Sequence, residues 1–223
     1  MSWLRLYITV EGPTEKRFAD QALTPHLANY NIEVKPRVVL TNRKLGKRGG
    51  ILDFDKIRGD LMRLMKQDQH PEARFTTMID LYALPPAFPG WDEARKQNNS
   101  LDRVETLEKA LHAEFPDPRF HPHIQLHEFE ALLFCELGER QSRLANSAWA
   151  ITALQKETAH LEPEEINEGP HTAPSKRIIH HLPIYERAKV RVGAPAAAAI
   201  GLPVLREKCP HFAQWLARLE KLA

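Results

Sequence analysis

Apolar residues alternate through Leu4-Arg5-Leu6-Tyr7-Ile8-Thr9-Val10, a β-branched-rich run that fits the interior of a sheet. The run stops without a spacer at Glu11-Gly12-Pro13-Thr14-Glu15, and a helical pattern follows. Thr14 can cap a helix running to about Tyr30, with Phe18, Ala22 and Leu23 at core spacing. Ile32–Leu40 predicts a second strand, and Pro36 within it points to a sheet edge or a bulge. Phe54, Ile57, Leu61 and Leu64 mark one face of a helix from about Asp53 to Lys66. Arg74–Leu81 predicts the third strand, Leu101–Phe115 an amphipathic helix and Phe120–Leu126 the fourth strand, and another helix begins near Phe129. The Pro-rich segment from Ala83 to Asn99 reads as a structured loop.

This alternation predicts an α/β fold, a mainly parallel sheet with helices on both faces. From about Gln141 only helix and loop patterns follow, ending in a helix over about His211–Leu222 that offers Phe212, Trp215, Leu216 and Leu219 to the core. The expected division is an α/β domain over residues 1–140 and a helical C-terminal extension, 141–223, packed on it. Trp91, Trp149 and Trp215 are expected in the core or at an interface, because no cations interleave them as a base-stacking platform requires.

The chain of 223 residues is long enough to bury a sizeable core. Its formal net charge of +2 permits a nucleic-acid partner without demanding one. No apolar run approaches the ~20 residues that span a bilayer, so no membrane association is expected. MSWLRLYITV lacks a small-residue cleavage site and runs straight into Glu11, so it reads as a strand and not as a signal peptide. Cys135 and Cys209, each in an apolar setting, fit reduced core thiols in a cytoplasm.

Three predicted strands end in acid: Glu11 after the first, Asp80 after the third, and His127-Glu128 after the fourth, with Glu130 two residues on. A carboxylate at the tip of a buried strand is costly unless something pairs with it. In an open parallel sheet the carboxyl ends of the strands share one rim, where ligands bind. Oxygen ligands at that density suit Mg²⁺ or Mn²⁺. Singly, each acid also fits a solvated rim residue or a helix cap; three in one topology favour a shared site. Glu15 in the first helical turn can reach the same ion or cap its helix, and Glu130 has the same helix-dipole alternative. Gly12 at the tight turn lets backbone approach a ligand.

VEGPTEKRF after the first strand, IDLY after the third and HEFEALLF later resemble the Toprim-related proteins, which carry Glu-Gly after one strand and Asp-x-Asp after another. More closely, RKLGKRGGILDFDK, TTMIDLYALPPAFPGW, HIQLHEFEALLF, TAPSKRI and CPHFAQWL resemble the DUF4276 family over almost the whole chain. The wider resemblance implies a Toprim-like fold and a divalent-metal site held by Glu11, Asp80 and Glu128, with Glu130 as a further ligand. It implies phosphodiester or phosphoryl chemistry on nucleic acid, as in a nuclease, and a bacterial defence or repair setting with a separate ATPase subunit. The chain has no G-x-x-x-x-G-K-[ST] loop of its own. It departs from the Toprim pattern at Tyr82, where the second acid would stand. On strand alternation Tyr82 would line the site beside Asp80.

Arg43, Lys44, Lys47 and Arg48 form a Gly-containing basic loop that could track a phosphate backbone or simply be solvated. Lys176 and Arg177, behind a Ser175 able to cap their helix, offer a substrate-phosphate contact, with Arg187, Lys189 and Arg191 downstream. His121, His123 and His127 would share a strand face as zinc ligands do, but Pro122 and apolar surroundings weaken that reading. His127 fits better as a general acid/base or as a group orienting a carboxylate. Two functions follow: a metal-dependent nuclease or phosphotransferase, or a non-catalytic docking module in which Tyr82 marks a degenerate metal site. A receiver-type phosphoacceptor needs an acidic pair after the first strand, where Glu11-Gly12 supplies one acid.

Overall fold

The computed structural model describes residues 3–39, 53–138, 148–166, 169 and 171–223. The basic loop bearing Arg43, Lys44, Lys47 and Arg48 lies outside the described residues. β1 (Leu4–Val10) sits between β2 (Ile32–Val38) and β3 (Ala73–Asp80) and pairs in parallel with both. β2 forms one edge, where Pro36 is tolerated because no further strand needs its missing N–H. β4 (Phe120–His121) and β5 (Ile124–Gln125) both pair in parallel with β3. The single fourth strand expected over Phe120–Leu126 is thus broken in two. Pro122 cannot donate to a ladder. Thr77 takes over, its Oγ1 accepting from His123 N (2.9 Å) and donating to His123 O (2.7 Å), while Thr76 Oγ1 donates to His121 O at 2.5 Å.

α1 (Pro13–Phe18) continues through a π-turn (Ala19–Leu23) into α2 (Thr24–Ala28). The wide turn precedes Pro25, and Thr24 Oγ1 donates to the Ala19 carbonyl at 3.0 Å. α3 (Phe54–Gln67) is capped by Asp53, the short α4 (Trp91–Ala94) forms within the Pro-rich segment read as a loop, and α5 (Ser100–Glu114) is capped by Asn99. Phe129–Cys135 winds as a buried 3₁₀ segment in place of the α-helix that its pattern predicts. The remaining helices are α6 (Ala148–Thr158), α7 (Pro174–His181), α8 (Ala194–Ile200), α9 (Leu202–Lys208) and α10 (Pro210–Glu220).

Strand alternation sends β1 side chains to two cores. Leu6, Ile8 and Val10 pack with Phe18, Leu23, Phe129, Phe212, Trp215 and Leu216. Tyr7, Phe75 and Ile79 face the other way, against Ile57 and Leu61 of α3 and Val104 and Leu107 of α5. Helices therefore cover both faces, as the strand-helix alternation predicts. α10 belongs to the sheet's own core: Trp215 is fully buried and its Nε1 donates to Thr76 Oγ1 at 2.9 Å. Cys135 and Cys209 are free and buried. Of the two places expected for Trp149, the structure removes the core: it is 65% exposed on α6.

Because α10 and the sheet share one core, residues 1–140 and 141–223 are expected to unfold together in urea, with fluorescence and far-UV circular dichroism coinciding. Trp215→Ala should cost about 3–5 kcal/mol. Trp215→Phe, losing mainly the Thr76 hydrogen bond, should cost about 1 kcal/mol. Two separate transitions in the wild type would show an independent extension.

Candidate functional site

The parallel register sets Val10 opposite Met78, so Glu11 and Asp80 leave the sheet at the same carboxyl edge. Gly12 then turns the chain into α1, with Pro13 at the first helical position. A Cβ on Gly12 would lie 3.1 Å from Glu15 Oε2, so glycine leaves room for that buried carboxylate. Asp80 Oδ1 accepts from Phe129 N at 2.9 Å. Glu128 is held at both oxygens by Ser175, whose N–H donates to Oε2 (2.8 Å) and whose hydroxyl donates to Oε1 (3.0 Å). Glu130 Oε1 meets Lys189 Nζ at 3.0 Å and accepts from the Tyr185 hydroxyl at 3.4 Å. Gly193 permits that last contact, since a Cβ there would stand 2.5 Å from the Tyr185 hydroxyl.

These acids act on one another. Burial pushes Glu11 up to about 8, and the charges of Glu15, Glu130 and Glu128 add to the rise. Burial, with the charge of Glu130, lifts Glu15 to about 7. Asp80 is raised well above its ordinary range by burial and then by Glu11, Glu15, Glu130 and Glu128. Glu130 is raised by burial against the pull of Lys189. Burial disfavours the Lys189 ammonium, but Glu130, Glu128 and Asp80 outweigh it and lift its pKa. Glu11 Oε2 is buried and makes no hydrogen bond. The result is a pocket of carboxylates with more negative capacity than one lysine can offset.

Residues 10–220 match the family described as "Domain of unknown function (DUF4276)". The chain belongs to that family. No curated protein matches it. In structure the DUF4276 chain is similar to the C-terminal region of the Burkholderia pseudomallei OLD protein, at 17% identity and a TM-score of 0.48, with 99% of this chain and 100% of that one covered. At that score the likeness carries no assignment of function.

Elsewhere in the DUF4276 chain the predicted residues fall unevenly. Tyr82 does not follow strand alternation, because β3 ends at Asp80 and Leu81–Ala83 turn as a 3₁₀ segment. Its ring is 46% exposed while Leu81 is buried, so the expectation that Tyr82 lines the site beside Asp80 is corrected. His127 lies beyond β5, at φ 59°, and its Nε2 donates to the Glu164 carbonyl at 3.0 Å. That left-handed turn takes it off the strand face that a zinc site shared with His121 and His123 would need. α7 begins at Pro174 with Ala173 as its cap, so Ser175 caps nothing and holds Glu128 instead. Arg177 is engaged with Glu157 and donates from Nε to the Thr172 carbonyl at 2.8 Å, whereas Lys176 is exposed. Sequence reasoning missed Ser175, Tyr185 and Lys189 as partners of these acids. Only Gly193 and the position of Lys189 in a basic run hinted at them.

A second grouping was not expected. Among the described residues, Glu108, His123 and His211 are the trio whose possible ligand atoms all lie within 4.8 Å of one another. No three of the edge carboxylates come that close together.

The raised carboxylates fix a pH dependence. Glu11 binds its proton more tightly folded (about 8) than at its ordinary 4.5, so the folded state carries more protons between those values. Stability without divalent ions should therefore be greatest below the ordinary value and fall as pH rises towards 8. Glu11→Gln should flatten that fall and raise the melting temperature at about pH 8. Melting curves across pH in chelator check this; an unchanged slope in Glu11→Gln would remove Glu11 from the coupled set.

Proposed function

We propose that this DUF4276 protein carries out divalent-metal-dependent phosphodiester or phosphoryl chemistry on nucleic acid, with Mg²⁺ or Mn²⁺ held by Glu11, Asp80, Glu128 and Glu130. One observation carries the reading: carboxylates, half-buried at Glu11 and Asp80 and buried at Glu15, Glu128 and Glu130, gather at the carboxyl edge of the sheet, and the buried Glu11 Oε2 there makes no hydrogen bond. The donor set fits the ion, being all oxygen and short of positive charge. Mg²⁺ keeps several waters and needs only one or two direct carboxylates, so the rest of the set would bind it through water. Such an ion supplies Lewis acidity towards a phosphoryl oxygen.

The chain's own residues supply the rest. Phe129 N–H and Ser175 fix Asp80 and Glu128, so neither must reorganise when charge develops. Glu11 sits near 8 without a cation, so at neutral pH it holds a proton that metal loading would displace. Lys189 steadies Glu130. Exposed Lys176 is the phosphate contact in this reading, whereas Arg177 braces α7 through Glu157. Arg43, outside the described residues, remains a second proposed phosphate contact. A separate ATPase subunit and a cytoplasmic setting follow from the Toprim resemblance; no helix among the described residues is long and apolar enough to cross a membrane. Tyr82 favours a second reading: with the second acid position filled by an exposed ring, the same fold would serve as a docking module.

Mn²⁺ at about a hundred times its dissociation constant should stabilise the folded chain by about 2.7 kcal/mol, read as a rise in melting temperature. Asp80→Ala should abolish that rise while remaining folded. Cleavage of DNA or RNA should depend on Mn²⁺ and vanish in Asp80→Ala; a metal response without cleavage would favour the docking module. A wild type indifferent to Mn²⁺ and Mg²⁺ would sink the metal site.

Separately, Lys176→Ala should lower the salt dependence of nucleic-acid binding by about one unit of slope. Arg177→Ala should instead cost stability. An unchanged slope in Lys176→Ala would place the phosphate contact elsewhere.

A further inference from the structure

We propose that Glu108, His123 and His211 form a second, separate metal site, built for a zinc-type transition ion, that ties α10 to the α/β body. The three come from distant elements: Glu108 from α5, His123 from the link between β4 and β5, and His211 from the first turn of α10. All are buried, and His123 is fully so. Glu108 Oε1 lies 3.0 Å from His211 Nε2 and 3.5 Å from His123 Nδ1. Ligands bound at about 2.0–2.1 Å around a tetrahedral ion stand about 3.3–3.4 Å apart. The two distances from Glu108 lie close to that value, all three ligand atoms fall within 4.8 Å of one another, and the Ile124 carbonyl oxygen, 3.2 Å from His211 Nε2, offers a fourth donor.

An ordinary buried ion pair explains part of this cluster. His211 Nε2 donates to Glu108 Oε1, Ile124 N donates to the same oxygen at 2.8 Å, and Arg218 approaches Glu108 Oε2 at 3.9 Å. It does not explain His123. Neither ring nitrogen of His123 makes a hydrogen bond, although no part of the residue reaches water. A buried polar group without a partner is costly, and here Nδ1 faces a carboxylate at a separation too long for a good hydrogen bond. A metal ion at the centre of the trio would give that nitrogen its partner.

The setting is also rigid. His123 stacks on Trp215 (centroids 4.4 Å apart, 9° between planes), and Thr77 brackets its backbone. Glu164 accepts from His211 N (2.9 Å) and Phe212 N (3.0 Å), fixing the start of α10. The rings of His123 and His211 lie 4.9 Å apart at 24°, so both can present a nitrogen to one ion. Loading releases the proton that His211 Nε2 shares with Glu108. Two imidazoles and one carboxylate suit zinc over magnesium. With all three ligands buried the ion is structural, unlike one at the sheet edge.

The test is on the full chain, unfolded in chelator and refolded with or without Zn²⁺, then analysed for bound metal after excess Mg²⁺ wash. One zinc per chain is expected, with a higher melting temperature than the metal-free refolded protein. Co²⁺ in its place should give the intense visible bands of a tetrahedral site, which the oxygen-only edge site cannot produce. Asp80→Ala should keep the zinc; Glu108→Gln and His211→Asn should lose it. A wild type that refolds and takes up neither Zn²⁺ nor tetrahedral Co²⁺ overturns the proposal, whatever the variants do. Full retention of zinc by a folded His211→Asn overturns it as well.

Discussion

A carboxylate cut off from water has to keep a proton, meet a cation or accept hydrogen bonds, and the acids at the sheet edge divide those options among themselves. Asp80 accepts from Phe129, Glu128 from Ser175, and Glu130 meets Lys189. Glu11 and Glu15 keep their protons to about 8 and about 7. The partners come from the 3₁₀ segment after β5, the first turn of α7 and the π-turn that leads into α8. The path of the C-terminal half is thus dictated in part by charges in the N-terminal half. That accounts for a run of helices that packs on the strands' own core and forms no second core.

Parallel pairing is what brings the acids together in the first place. With β1 and β3 running the same way, strand ends more than sixty residues apart in sequence arrive at one edge. This much was legible, because alternation along Leu4–Val10 and the strand-helix order are short-range signals. The two cores could also be read from β1 alone: Leu6, Ile8 and Val10 face one, and Tyr7 the other.

What could not be read depended on partners chosen in three dimensions. Pro122 marked a weak point in the fourth strand, but only the structure discloses that threonine hydroxyls bridge the break. Alternation placed Tyr82 beside Asp80 on the assumption that the strand continued; it stops one residue too soon. The sequence alone leaves Trp149 between core and interface, and α6 turns it outward. Arg177 looked like a free cation until Glu157, twenty residues earlier, claimed it. In each case the local pattern was sound and a tertiary contact overrode it.

The histidines carry this furthest. His121, His123 and His127 share a spacing in sequence, and the fold separates them: His127 turns to Glu164, while His123 joins a glutamate on α5 and a histidine on α10. A spacing rule within one segment cannot find a site assembled from three. The two candidate sites also differ in the chemistry that sorts metals. Oxygen donors in excess at the edge of the sheet suit a hydrated hard ion that must meet substrate. Imidazole nitrogens enclosed in the core suit an ion that need never leave. Burial thus works in opposite directions at the two places. At the edge it raises carboxylate pKa values, so metal and protons compete for the same oxygens. In the core it lowers the pKa of His123 to about 4, so that one ring stays neutral across the neutral range, while at His211 Glu108 outweighs burial and raises the pKa.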